Sequence, residues 1–211
     1  MDQQTADPVH ESPPDLDIAP DMFADAVMSE LKAASPHSAA GRDGGRATHW
    51  QVGCGDDRFG QLLASALLRW LQGEAPAALD ELLAAQSLFA IRKANGGIRP
   101  IAVGAFLRRL GLRAMLRCIR KETANAAGPA QYALGRAGGA DAAFKALALE
   151  ASSDDGVAVL SVDIKNAYGT VSRGSVQRAV RRRIPRLAGL VDMLMSSTVA
   201  GATDLPDGVV E

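Results

Sequence analysis

From Gly156 to Val162 the chain reads Gly-Val-Ala-Val-Leu-Ser-Val, with no charge and no proline, and then delivers one carboxylate, Asp163. This stretch constrains the fold more than any other. A run of apolar and β-branched residues, with Ser161 as its one polar interruption, reads as a strand buried on both faces. A carboxylate at the end of such a strand is costly to desolvate unless a cation or hydrogen bonds meet it. Asp163 is therefore either a metal ligand or the cap of a turn, and strand-then-Asp is common enough in α/β folds to leave both open.

The segments before it alternate between polar and periodic. Residues 1–20 are rich in Asp, Pro and Gln and poor in large apolar groups, so they are read as a disordered arm. Asp21 can cap a short helix through Ala34, with Phe23, Val27 and Leu31 on one face. The Gly-, Ser- and Arg-rich stretch from Ser35 to Asp57 reads as a linker, and Asp56 and Asp57 as surface or helix-start carboxylates in preference to metal ligands. Residues 1–57 are thus expected to be a largely disordered acidic arm, a short helix and a linker, with one folded domain over 58–211. Within that domain Phe59, Leu62, Leu63, Ala66, Leu67, Trp70 and Leu71 fall at helix-face spacing before Gly73, and a second helix starts near Pro76 and runs to about Gln86.

The period then changes from helical to alternating. Leu88–Lys93 and Ile98–Val103 flank Ala94-Asn95-Gly96-Gly97, and Asn-Gly between two apolar runs is a strong hairpin signal. Pro100 cannot donate to a ladder, so its strand belongs at an edge or the proline at an unpaired position. Lys93 and Arg99 then lie near an exposed tip. Ala105 to Lys121 reads as one helix on which Arg109, Arg113, Arg117 and Arg120 recur along one face, either against nucleic-acid backbone or as a solvated stripe. A Gly-rich loop, Gly128 to Asp141, opens a helix through Phe144, Leu147 and Leu149. It permits close approach to a ligand or to neighbouring strands, or is a plain connection. Asp154-Asp155-Gly156 reads as a turn into the central run. Beyond it a helix from about Ser172 stops before Pro185, and another carries Leu187, Leu190, Val191, Leu194 and Thr198.

The formal net charge of −1 hides a polarised distribution. There is no acid from Leu82 to Lys121 and none from Ile164 to Val191, and both runs are rich in Arg. Two basic blocks flank the run that carries Asp163, which suits a polyanionic partner. Cys54 and Cys118 stand far apart without ligand-type neighbours, so neither a zinc site nor a disulfide framework is indicated. His10, His37 and His49 all lie in the amino-terminal part, which leaves the basic region to carboxylate and cation chemistry. No apolar run approaches the length that crosses a bilayer and no secretory signal is visible. The expectation is an intracellular chain of nucleus or cytoplasm, neither secreted nor membrane-bound.

Asp163-Ile164-Lys165-Asn166-Ala167-Tyr168, followed by Thr170, Ser172 and Arg173, resembles the first catalytic motif of reverse transcriptases, especially those of non-LTR retrotransposons. Gly169 departs from the usual Asn. The hairpin Lys93-x-x-Gly96-Gly97-x-Arg99-Pro100-Ile101 resembles the fingers hairpin of the same family. The loop from Gln131 to Asp141 is similar to its Gln-Phe-Gly…Gly-Gly-Ala-Glu segment, with Ala133 for Gly and Asp141 for Glu. Three motifs in the family's order, over roughly Leu62 to Thr198, are far more specific than any one.

The resemblance implies an α+β fold: a right-hand polymerase fragment of fingers and first palm segment, helix-rich, with a basic fingers hairpin and an incomplete palm sheet. It implies that Asp163 and the backbone carbonyl of Ile164 hold two Mg²⁺ ions, with Mn²⁺ as a substitute. Lys93 and Arg99 would grip the triphosphate of an incoming deoxynucleotide, with Ala167 and Tyr168 beside its sugar. RNA template and DNA primer are the implied partners, and primer extension by two-metal phosphoryl transfer the implied reaction. The family's Tyr/Phe-x-Asp-Asp hairpin does not occur after Asp163 in this sequence. The expectation is therefore a truncated domain, inactive by itself, with the missing palm and thumb portion downstream. A nucleic-acid-binding module without catalysis, and an unrelated α/β protein whose Asp163 merely caps a turn, stand as alternatives.

Overall fold

The computed structural model describes residues 16–94, 96–134, 136–153, 156–164 and 167–196, without the side chains of Tyr168, Gly169 and Ser196. The described residues fall into two compact units, 16–118 with 189–196, and 119–188. The first holds α1 (Pro20–Ala33), α2 (Ala47–Gln51), α3 (Asp57–Leu71), α4 (Ala77–Ala84), β1 (Gln86–Arg92), β2 (Ile98–Gly104) and α5 (Phe106–Cys118). The second holds α6 (Arg120–Ala127), α7 (Gly139–Ser153), α8 (Ala167–Thr170), α9 (Arg173–Arg183) and a 3₁₀ turn (Pro185–Leu187). α10 (Ala188–Ser196) follows, its residues from Gly189 onward grouped with the first unit. No helix among the described residues is long and apolar enough to cross a membrane.

The core of the first unit is three helices. α3 starts because Asp56 caps it: its carboxylate Oδ1 accepts the backbone N–H groups of Arg58 at 2.8 Å and Phe59 at 3.2 Å. The expected helix-start role for this carboxylate is the one observed. Leu63, Ala64, Leu67, Trp70 and Leu71 form the buried face, while Leu62 and Ala66, expected on it, point to solvent. Trp70 is buried with its indole Nε1 donating to Asp80 Oδ1 at 3.0 Å, which links α3 to α4 and satisfies the ring's one donor.

α1 packs on both α3 and α5, and Phe23, Val27 and Leu31 are each 0% exposed. Leu16 and Ile18, just before it, are buried as well. From residue 16 the amino-terminal part is therefore integral to the core and is not an arm. The expected linker is ordered too. It contains α2, and Gln51 Nε2 donates to Leu31 O at 3.0 Å and Ala34 O at 2.9 Å at the end of α1.

β1 and β2 form the one sheet among the described residues, an antiparallel pair with register running from Arg92↔Ile98 to Gln86↔Gly104. Residues 93–97 connect the strands. Gly96 N–H donates to Lys93 O at 3.0 Å and Lys93 N–H to Gly97 O at 2.7 Å. Gly96 sits at φ 80°, a conformation that glycine adopts without a Cβ clash. Pro100 lies opposite Ala90 on a strand with no neighbour on its other side among the described residues, as its missing N–H requires.

Two expectations fail. The helix expected from Ala105 to Lys121 ends at Cys118; Ile119 takes φ −104°, ψ 13°, and α6 begins afresh at Arg120. No glycine, proline or capping residue marks this break in the sequence. The run from Val157 to Ile164 is not a buried strand: it has no regular structure, and Leu160 is 86% and Val162 74% exposed. A strand needs a neighbour for its N–H and C=O groups, and no described residue pairs with this one. No palm sheet forms among the described residues.

The second unit is held by polar ties between its helices. Ser172 caps α9 by accepting Ser175 N–H at 3.4 Å, and the helix stops at Arg183 ahead of Pro185. Arg186 Nε donates to both carboxylate oxygens of Glu122, at 3.0 and 2.8 Å, and Arg183 Nη1 donates to Ala126 O at 2.7 Å in the last turn of α6. Gly139 opens α7 against the loop before it. A Cβ there would collide with Tyr132 O, so no side chain fits.

Candidate functional site

The hairpin register decides which side chains meet at its tip. Directly opposed residues share a face, so Ile91 and Arg99 lie together with Phe89 and Ile101, and Lys93 continues that face by strand alternation. Arg92 pairs with Ile98 on the other face. At the tip the faces converge on an open recess of about 450 Å³ lined by Ile91, Arg92, Lys93, Ala94 and Arg99, a volume in the range of small-molecule sites. Three cations and no acid line it, and all three side chains are exposed. The arrangement suits a compact polyanion, with Arg99 offering a planar fork and Lys93 a point charge. The structure thus brings Lys93 and Arg99 together as the sequence predicts. It adds Arg92, which pairs with Ile98 on the other face and reaches the recess at the tip.

The four arginines expected as one stripe have separate surroundings. Arg109 donates through Nη2 to Ala39 O and lies 5.8 Å from the Phe106 ring centroid. Burial lowers its pKa, the neighbouring Arg113 charge lowers it further, and Asp43 opposes both. Arg117 pairs with Glu30 of α1 at 3.1 Å. Arg113 is exposed. Arg120 stands on α6, beyond the break, in the second unit. Two of the four therefore tie α5 to the rest of its own unit. Arg108, which the stripe argument passed over, lies against Gly104 at the end of β2; burial lowers its pKa and Asp80 opposes. Cys118, at the end of α5, has its thiol pKa raised by burial, against the Arg117 charge.

In the second unit Asp163 is exposed in the irregular run, next to Ile164. Ala167 begins α8, and Val171 N–H donates to Ala167 O at 3.2 Å. Lys165 and Asn166, and the side chain of Tyr168, lie outside the described residues. Asp163 and the hairpin belong to different units. Among the described residues no three His, Cys, Asp or Glu side chains gather as metal ligands. A single exposed carboxylate does not fit a two-ion Mg²⁺ site, which needs carboxylates from more than one position. In the loop between α6 and α7 the Arg136 guanidinium lies over the Tyr132 ring, 4.7 Å from its centroid, and Arg136 Nη2 donates to Pro129 O at 2.9 Å.

No protein-family model, no curated protein and no solved structure matches the chain.

Proposed function

We propose that the chain contributes the fingers and the first palm segment of an RNA-directed DNA polymerase of non-LTR retrotransposon type. The observation that carries this reading is the hairpin. The residue order that resembles the family's fingers motif also forms an antiparallel pair with Lys93 and Arg99 at one recess, joined there by Arg92. A recess lined by three cations favours a triphosphate over a monophosphate, because each added phosphate brings charge that guanidinium and ammonium groups can meet. In this reading Arg99 orients the nucleotide, Lys93 and Arg92 neutralise it, and Asp163 belongs to the catalytic carboxylates of a complete domain. No chemical step is assigned to the chain alone, since its described donors do not fit the metal pair.

The test measures deoxynucleoside triphosphate binding to the chain, with the matching monophosphate as control. Triphosphate should bind more tightly, and Arg99→Ala should remove the difference. Equal affinity for both would overturn the assignment of the hairpin. Primer extension on a primed RNA template with Mg²⁺ or Mn²⁺ should give no product; synthesis that is lost in Asp163→Asn would show that a second carboxylate cluster completes the site.

A second reading, an RNA- or DNA-binding remnant without catalysis, is favoured by the two acid-free basic runs, Leu82 to Lys121 and Ile164 to Val191. Transcript sequence past the codon for Glu211 separates the two. An in-frame glycine loop and Asp-Asp pair supports the polymerase.

A further inference from the structure

The second unit carries a recess that the family resemblance leaves without a role. It lies between the end of α6 and the loop that follows, has a volume of about 390 Å³, and its walls include Asn125, Gly128, Pro129, Gln131, Leu134 and Arg136. Its chemistry is mixed in a specific way. Pro129 and Leu134 are exposed apolar surface, and Asn125 and Gln131 are exposed amides. Gln131 Oε1 accepts Ala133 N–H at 2.8 Å, which fixes that amide and leaves its NH₂ to point elsewhere. The Arg136 guanidinium is held on two sides, by its hydrogen bond to Pro129 O and by the Tyr132 ring, which backs it without lining the recess. A flat cation fixed in one plane, beside apolar contacts and facing two amides, matches an unpaired nucleobase: the guanidinium stacks on the base and the amides meet its edge. The segment 119–188 that holds the recess carries eleven Lys and Arg against six Asp and Glu, which suits the phosphates on either side of that base.

We infer that this recess holds one unpaired base of a single-stranded nucleic acid, with Arg136 as its stacking platform and Asn125 and Gln131 reading its edge. The inference rests on the reading of the chain as a nucleic-acid-handling one and assigns a site within it.

The test uses the full chain and two fluorescein-labelled DNA 12-mers of equal charge, one of thymidine and one abasic, titrated by anisotropy at low salt. The thymidine strand should bind about fivefold more tightly than the abasic one. Arg136→Lys keeps the charge and loses the plane, so it should erase that preference. Asn125→Ala, on exposed surface, should narrow it too. Equal, salt-dependent binding of both strands, or a preference that survives Arg136→Lys, overturns the recess and leaves the polymerase reading standing. Binding of neither strand overturns both.

Discussion

Three arginines that share one face of α5 should respond differently to the same substitution, Arg→Gln, because their neighbours differ. Arg113 is exposed, so its replacement should change stability by no more than about 0.5 kcal/mol. If it meets a phosphate, its loss should lower the slope of log K against log salt by about 0.9. Arg117 pairs with Glu30, whose side chain is 23% exposed against 56% for the arginine. That pair is largely solvated, and breaking it should cost about 0.2–1 kcal/mol. Arg109 loses a charge-assisted hydrogen bond to Ala39 O, a contact whose full value is about 1.5–3 kcal/mol. Its Nε is buried without a hydrogen-bond partner, and removing that unmet group offsets part of the loss, leaving about 1–2 kcal/mol. For a unit of this size, each kcal/mol corresponds to roughly 4–8 °C in Tm. The order in Tm should therefore be Arg113→Gln highest, then Arg117→Gln, then Arg109→Gln. The order in salt slope on an RNA–DNA hybrid should be the reverse, with Arg113→Gln changing it most. Circular dichroism melts and anisotropy titrations across a salt series read the two orders. Three equal slope changes with no loss of Tm would refute the structural roles of Arg109 and Arg117. An unchanged slope in Arg113→Gln would remove nucleic-acid contact from α5.

Phe23→Ala should cost about 3–5 kcal/mol, a large part of a domain's usual margin, since its ring is fully buried where α1 meets the core. A melt within a degree of the parent chain would mean that α1 is not packed. Asp56→Ala should cost about 1 kcal/mol through the lost cap of α3, while Asp56→Asn, which keeps an acceptor, should stay close to the parent; equal losses in the two would assign the effect to charge instead of capping.

The parts of the fold that could be read from sequence are those decided by neighbours in the chain. The hairpin was legible because a turn between two apolar runs sets its own register, and Gly96 and Gly97 supply that turn. Asp56 and Ser172 were legible as helix starts because a cap reaches only two or three residues ahead. What escaped depends on distant partners. Arg109 and Arg117 were placed correctly on one face, yet the groups they meet lie 70 and 87 residues away, and spacing along a helix says nothing of what stands opposite. The helix with Phe23, Val27 and Leu31 on one face was legible, but Leu16 and Ile18 just before it were assigned to an arm and are buried instead. The run around Leu160 shows the converse. Its composition states what a strand there would bury, but not whether another strand is available to pair with it. The candidate site divides in the same way: Lys93 and Arg99 meet through local pairing, while their relation to Asp163 depends on contacts that no local pattern encodes.

Pro100 also sets the direction in which this small sheet can grow. Bonded and non-bonded pairs alternate along an antiparallel ladder. Lys93 N–H is bonded to Gly97 O, so Ile91 with Arg99 and Phe89 with Ile101 are bonded pairs, and Ala90 with Pro100 is not. The ring nitrogen of Pro100 therefore faces away from β1, where its missing hydrogen removes nothing from the hairpin. It removes one donor from the outer side of β2. The outer side of β1 keeps the N–H groups of Leu88, Ala90 and Arg92 in an unbroken row. A third strand, from this chain or another, would find a continuous ladder only alongside β1, so one edge of the sheet is open to extension and the other is closed by a single residue.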